Sequence, residues 1–351
     1  MAATVATAPA LQLDALFLPI ISGELRVPYD GRVLFLRARD GAPLRTFVRP
    51  GWLCEQTFKP FADELRRAGV ALGEPAQDDH FALVLVLPPR QRDEARALFA
   101  RAACSLQPGG VMLTAVPNGE GAKSAEADAV RLFGAVRSLS KHKCRVFWAS
   151  AGEGLDSTLL AEWEALDAPR RIAGGYLSRP GLFAWDRIDT ASALLAAHLP
   201  HDLHGRVADL GAGYGYLAVQ VIARCPGVTA VDMYEAERRA LEPARINLAE
   251  AVAVSGREVD VGAHWHDVTT GLPHRYDAIV SNPPFHQGRA DLPELGRAFI
   301  DAAADALLPR GRLWLVANRH LPYEATLAAR FAQVRTVATQ DGFKVIEAVR
   351  A

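Results

Sequence analysis

Three groups of residues in the second half of the chain have the types and spacing to do chemistry. The first is Asp209-Leu210-Gly211-Ala212-Gly213-Tyr214-Gly215, at the end of an apolar run and the start of a helical one. Glycines let a turn take positive φ and let a ligand approach the backbone, and the first turn of a helix offers N–H groups with no intrahelical partner. The glycines fall at alternate positions, and Tyr216 stands where the dinucleotide pattern Gly-x-Gly-x-x-Gly has its third glycine. The second group is acidic. A ribose calls for a carboxylate at the end of the next strand, because its hydroxyls donate hydrogen bonds. Glu235 lies there, with Asp232 as a competitor three residues earlier; spacing from Asp209 and from the turn at Pro226 favours Glu235. Asp267 follows His264-Trp265-His266 as a further acid. The third group is Ser281-Asn282-Pro283-Pro284-Phe285. Its two prolines fix the backbone at the carboxyl edge of a strand, where open α/β sheets bind ligands, and Phe285 offers a ring face for a base.

These groups need a parallel sheet to hold them. Strands are predicted at 206–210, 229–234, 276–281 and 312–317, with helices at about 216–224 and 298–308, and a closing hairpin at 334–339 and 343–349. The first half repeats the cadence: strands at 32–37, 81–87 and 111–116, and a helix at 94–106. FALVLVLPPR (81–90), a helix and LQPGGVMLTAVPN (106–118) run parallel to YDAIVSNPPF (276–285), a helix and LLPRGRLWLVANR (307–319). The order strand, Pro-Pro, helix, Pro-x-Gly, strand therefore occurs twice, which points to two related domains. Leu87 and Arg90 stand where Asn282 and Phe285 stand in the second copy, and the strand at 32–37 is followed by no glycine loop. Only the second copy is expected to keep a site. The boundary is expected in the stretch 168–180, giving domains of 1–175 and 176–351.

The chain has 351 residues, more than one core usually supports. Half are hydrophobic, 23 % are charged, and the net charge is −1, so any nucleic-acid contact needs a local basic patch. Arg131, Arg137, Lys141, His142, Lys143 and Arg145, followed by Arg170-Arg171, are the candidate; the other reading is a solvated face. Four scattered cysteines, with no Cys-x-x-Cys pair, speak against a zinc site or disulfide framework and fit a reducing cytoplasm. No metal ligand set is expected around His264 and His266. Residues 1–12 are expected to fray, and Leu16 to Ile21 is too short to span a membrane.

The glycine loop with Asp209 two residues before it resembles motif I of class I methyltransferases. Alone, the loop also fits a dinucleotide or a plain turn. The resemblance implies S-adenosylmethionine as cofactor, with Asp209 toward its methionine part and Gly211, Gly213 and Gly215 shaping the loop. Asp267 stands where that superfamily places the acid for the adenine amino group. Asn282-Pro283-Pro284-Phe285 resembles the (N/D/S)-P-P-(Y/F/W) motif of amino-group methyltransferases. There the Asn282 amide oxygen and a neighbouring carbonyl, that of Pro283, accept both hydrogens of a planar NH2 and turn its lone pair toward the methyl. SNPPFHQG (281–288), VANRHLPY (316–323) and GFKV (342–345) are similar to the RsmC-type 16S ribosomal RNA guanine-N2 methyltransferases. In PGLFAWDRIDTASALL (180–195), Phe183, Asp189 and Ser192 match a segment that covers the cofactor, with Ala191 where the family has glycine.

The fold this implies is α/β: two tandem Rossmann-like class I methyltransferase domains, the first degenerate and aiding folding and RNA placement. The expected activity is methyl transfer to guanine N2 in ribosomal RNA of the small subunit, by a monomer without metal or membrane. Methylation of 23S RNA, of a glutamine amide or of adenine N6 are the enzyme alternatives, and a non-catalytic RNA-binding assembly factor is the alternative of another class.

Overall fold

The computed structural model describes residues 8–27, 31–284, 286–287, 290–291 and 293–351. Two compact units make up the chain, Met1–Ala168 and Pro169–Ala351.

The N-terminal unit is built on six strands: β1 (Val33–Leu36), β2 (Trp52–Glu55), β3 (Phe81–Val86), β4 (Leu106–Pro117), β5 (Arg137–Lys141) and β6 (Cys144–Ser150). Their order is β2-β1-β3-β4-β6-β5. The pairs among β1 to β4 are parallel, and β6 runs antiparallel to β4 and β5. Continuous apolar runs such as Phe81–Val86 suit central parallel strands, which are covered on both faces. The frayed start expected for residues 1–12 needs correction from Ala8 onward. Ala8–Ile21 is a helix, because Leu13, Leu16 and Phe17 bury against the sheet, and Gln12 Nε2 donates to the Ala115 carbonyl at 2.8 Å.

The C-terminal unit has a seven-stranded sheet: β7 (His204–Leu210), β8 (Gly227–Glu235), β9 (Asp260–Trp265), β10 (Tyr276–Ser281), β11 (Leu307–Asn318), β12 (Gln333–Gln340) and β13 (Phe343–Val349). The order is β9-β8-β7-β10-β11-β13-β12, parallel except for β13, which runs against both its neighbours. The expected hairpin is thus β12–β13. Strand order reverses between β7 and β10, the kind of crevice where open α/β sheets bind ligands.

Alternation along the strands divides the core. Val207, Val231, Met233 and Val280 face one side with Leu217 and Val221 of the helix Tyr216–Arg224. Ala208, Leu210, Tyr234, Tyr276 and Ile279 face the other with Phe299 and Ile300 of the helix Pro293–Ala306. At about 25 cal/mol per Å² of apolar surface removed from water, these two layers are the main stabilising contribution of the unit. Among the described residues, no helix is long and apolar enough to cross a membrane.

Candidate cofactor and methyl-transfer site

β7 and β10 are neighbours with Leu210 opposite Ser281, and the Ser281 hydroxyl donates to the Leu210 carbonyl at 2.8 Å. The glycine loop and the Asn-Pro-Pro turn therefore leave the sheet side by side. Each glycine of the loop has positive φ, but for a different local reason. A Cβ on Gly211 would sit 3.3 Å from the Phe299 ring and 3.7 Å from Pro284, so this glycine lets the two turns touch. A Cβ on Gly215 would meet Met233 Sδ at 3.0 Å. At Gly213 it would meet nothing within 4 Å: this glycine borders open space.

Asp209 shares the face of Val207, and its side chain lies under the first turn of the helix Tyr216–Arg224. Its Oδ2 accepts from the Ala218 N–H at 3.0 Å, whereas Oδ1 is buried with no partner. Burial pushes its carboxyl up to about 7. A buried acceptor with an unspent oxygen is suited to a cationic or N–H-bearing ligand group. At the end of β8, Glu235 accepts from the Gly213 N–H at 2.8 Å and from the Glu237 N–H at 2.7 Å, and burial raises its carboxyl too.

Asp232 sits on the opposite face. Burial works to raise its carboxyl, but Arg206 at 2.6 Å and His264 at 3.1 Å hold it below the usual carboxylate range. The Tyr276 hydroxyl is 3.2 Å away. Those partners consume it, and its parity directs it away from the glycine loop. Asp267 follows β9 and starts a short turn, accepting from the Thr269 N–H at 3.0 Å and its hydroxyl at 2.7 Å. The His266 N–H bonds the Glu235 carbonyl at 2.9 Å, which brings this turn beside the end of β8. His264 packs on Tyr234, and His266 Nε2 lies 2.6 Å from the Gly271 carbonyl. No group of three or more His, Cys, Asp or Glu able to hold a metal occurs among the described residues.

At the end of β10, Pro283 is buried and Pro284 exposed. Phe285 lies outside the described residues. The Asn282 Nδ2 donates to Asp189 Oδ2 at 3.0 Å and to Ser192 Oγ at 2.9 Å, while Oδ1 is buried without a partner. Ser192 is thus placed against Asn282, and Ala191, where the family pattern has glycine, is buried in the core. Phe183 is 63 % exposed; its neighbour Leu182 is the one packed against Tyr214.

One positioning residue escaped the sequence reading. Asn247, buried in the middle of the helix Leu241–Ser255, donates to the Tyr214 and Leu177 carbonyls, both at 2.8 Å, and accepts from the Leu177 N–H at 2.7 Å. It pins the glycine loop to the segment before it. Its signal was a poor helix former at a buried position of an otherwise apolar helix face.

Of the candidate phosphate-binding residues, Lys141 and Lys143 are exposed around the β5–β6 turn. Arg145 is paired with Glu126 and Arg171 with Glu250, and Arg131 lies 4.0 Å from Asp128.

The model for the methyltransferase small domain matches residues 174–347. The chain is similar to ribosomal RNA small subunit methyltransferase C of Shewanella amazonensis, 31 % identical over 280 residues, covering 77 % of this chain and 78 % of that one. Ribosomal RNA large subunit methyltransferase G of Alcanivorax borkumensis is 36 % identical over 169 residues, 47 % of this chain and 42 % of that one. Among solved structures, the T. thermophilus 16S rRNA N2 guanine methyltransferase bound to AdoMet and guanosine has a TM-score of 0.78 at 25 % identity, covering 97 % of this chain and 92 % of that one. Similarity over both units, joined to a glycine loop and an Asn-Pro-Pro turn at the switch point of the second sheet, means that this chain belongs to the ribosomal RNA small subunit methyltransferase C family.

Proposed function

We propose that this chain transfers a methyl group from S-adenosylmethionine to the exocyclic N2 of a guanine in 16S ribosomal RNA. The observation that carries this reading is the buried, unpartnered Oδ1 of Asn282 beside the glycine loop. It is an acceptor held ready at the strand edge, which is what a planar amine requires. The likeness to a guanosine-bound relative supports guanine as the base.

S-adenosylmethionine, when bound, supplies a methyl on a cationic sulfur. The remaining work falls to the chain's own side chains. Asp209 and the backbone at Gly211 and Gly213 hold the methionine end, Glu235 the ribose, and Asp267 the adenine amino group, with Phe183 and Ser192 in the covering segment. Asn282 Oδ1 and the Pro283 carbonyl accept the two N2 hydrogens, and Phe285 stacks on the base. Fixing both hydrogens would turn the nitrogen lone pair out of conjugation and toward the methyl; the N–C bond would form as the S–C bond breaks with its electron pair left on sulfur, and the nitrogen would then lose one proton to solvent. The catalytic contribution is positioning and electrostatics. The chemistry uses no protein-bound metal.

The N-terminal unit is read as a degenerate copy that aids folding and RNA placement, with residues 1–175 and 176–351 as the functional domains. Action as a monomer belongs to the same reading, and an RNA substrate of this kind supports a cytoplasmic location. Single-turnover methylation of small ribosomal subunits that lack the modification, with the methylated position mapped, tests the assignment. Methyl incorporated into 23S RNA, protein or adenine instead would overturn it.

A further inference from the structure

We propose that Asp189 and Ser192 are positioning residues for methyl transfer: they hold the Asn282 amide with its oxygen toward the substrate. This rests on the reading of Asn282 as the acceptor for the amine. An asparagine amide has nearly the same shape when its oxygen and nitrogen are exchanged, so shape alone cannot select the end that faces a substrate. Only one end serves here. An NH2 turned outward would oppose the hydrogens of the amine it is meant to receive.

Local geometry removes the ambiguity. Both Nδ2 hydrogens of Asn282 are taken, one by Asp189 Oδ2 at 3.0 Å and one by Ser192 Oγ at 2.9 Å. The reversed amide would press its oxygen against the Asp189 carboxylate at the same distance, two acceptors with no hydrogen between them. Asp189 is not free to turn away. It caps the helix Thr190–Ala197, its Oδ2 accepting from the Ser192 N–H at 2.8 Å. The segment before it is tied to the glycine loop, because the Tyr214 hydroxyl donates to the Arg187 carbonyl at 3.1 Å. Ser192 is buried, so water does not compete for its hydroxyl. The result is an Asn282 Oδ1 that is buried, unpartnered and pointed one way.

The pair has a second consequence. A carboxylate that accepts from an amide N–H draws positive charge to that end and leaves more negative charge on the amide oxygen. Asn282 Oδ1 is then a better acceptor as positive charge builds on the attacking nitrogen.

A double-mutant cycle tests this, with single-turnover methyl transfer to small ribosomal subunits and cofactor affinity measured in parallel. Asp189→Asn keeps size and helix cap, its one oxygen still accepting from the Ser192 and Asn282 N–H groups, but removes the negative charge that holds the Asn282 nitrogen; Ser192→Ala removes the second acceptor. Each should slow transfer by about tenfold, the effect of weakening one oriented polar contact; cofactor affinity should stay within about twofold of the parent for Asp189→Asn, and for Ser192→Ala, which also lies in the covering segment, should fall by less than transfer does. Placed on Asn282→Ala, either change should have less than about a twofold further effect, because no amide remains to orient. Equal slowing in both backgrounds, or a loss confined to cofactor affinity, would overturn the proposal and make the pair a structural or cofactor contact. Undiminished transfer by Asn282→Ala alone would instead overturn the reading of the tetrapeptide.

Discussion

The two sheets end their first strands in the same way and spend the result differently. Past β1, the Ala38 N–H bonds the Glu55 carbonyl at 2.9 Å; past β7, the Ala212 N–H bonds the Tyr234 carbonyl at 3.2 Å. In each unit the residue after that carbonyl reaches back to the loop. Gln56 donates to the Ala38 carbonyl at 2.7 Å and accepts from Phe58 N–H two residues on; Glu235 accepts from Gly213 N–H and from Glu237 N–H two residues on. The register of β3 on β4, with its irregularity after Phe81, is repeated by β10 on β11 after Tyr276.

What differs is the filling. Where the second unit has Gly211 and Gly213, the first has Arg37 and Arg39. Arg37 pairs with Glu94 at 2.8 Å, and the Arg39 guanidinium lies 3.2 Å from the centre of the Phe61 ring, its pKa lowered by burial to about 10. Leu87, which follows β3 as Asn282 follows β10, is buried apolar surface. The first loop closes on itself with large side chains and their partners. The second leaves open space at Gly213 and two buried oxygens, Asp209 Oδ1 and Asn282 Oδ1, unspent. One backbone framework supports either outcome; side-chain volume and unspent polarity decide which.

The strongest way to break this comparison is at Asn282. Asn282→Ala should lower single-turnover methylation on the order of 10²–10³ with cofactor binding near the parent, since one preorganised polar group is removed from a strand edge; loss of its hydrogen bonds to Asp189 and Ser192 should also cost about 1–3 kcal/mol of stability. A near-parental rate would show that the unspent oxygen is not where the two units differ in function. Next is the open space. Gly213→Val should weaken cofactor binding by more than about tenfold, by filling that space and forcing a β-branched residue to positive φ. Arg39→Ala in the first unit should leave affinity within about twofold. Calorimetric titration should give one cofactor per chain, and two would mean that the arginine-filled loop also binds.

A pH series sharpens the contrast further. Asp209 is pushed up from 3.8 to about 7, so without cofactor the folded chain holds this proton more tightly than the unfolded one. That contribution to stability is complete below about pH 4 and is lost as pH rises through about 7. A cationic ligand favours the carboxylate, so cofactor affinity should rise with pH by up to about tenfold per unit below 7 and level off above it. Asp209→Asn should flatten the profile; an unchanged profile would place the titrating group elsewhere. The smallest expected effect belongs to the first unit. Arg131, Lys141 and Lys143 changed together to Ala should lower the slope of log RNA affinity against log salt by about 0.7–0.9 for each phosphate no longer neutralised. An unchanged slope would make this stretch a solvated face only.

The sequence by itself determined strands that are continuous apolar runs, such as β3 and β10, because buried parallel strands must be so, and it determined the glycine loop and Asn-Pro-Pro turn, because few other residues tolerate those backbones; β2, β5, β6 and β9 were not read as strands. The helix Tyr216–Arg224 and strand Tyr276–Ser281 were legible to the residue. Long-range partners were not legible. Spacing already favoured Glu235 over Asp232; what it did not show is that the register of β8 on β7 puts Met233 opposite Asp209 and turns Asp232 toward Arg206 and Tyr276. The link from Asn282 to Asp189 spans 93 residues, and that from Asn247 to Leu177 spans 70. Local spacing reports backbone preference and burial parity, which act over a few residues. Which donor meets which acceptor is decided only when the sheet and helices pack, and that pairing leaves the Asn282 oxygen, rather than its nitrogen, unspent.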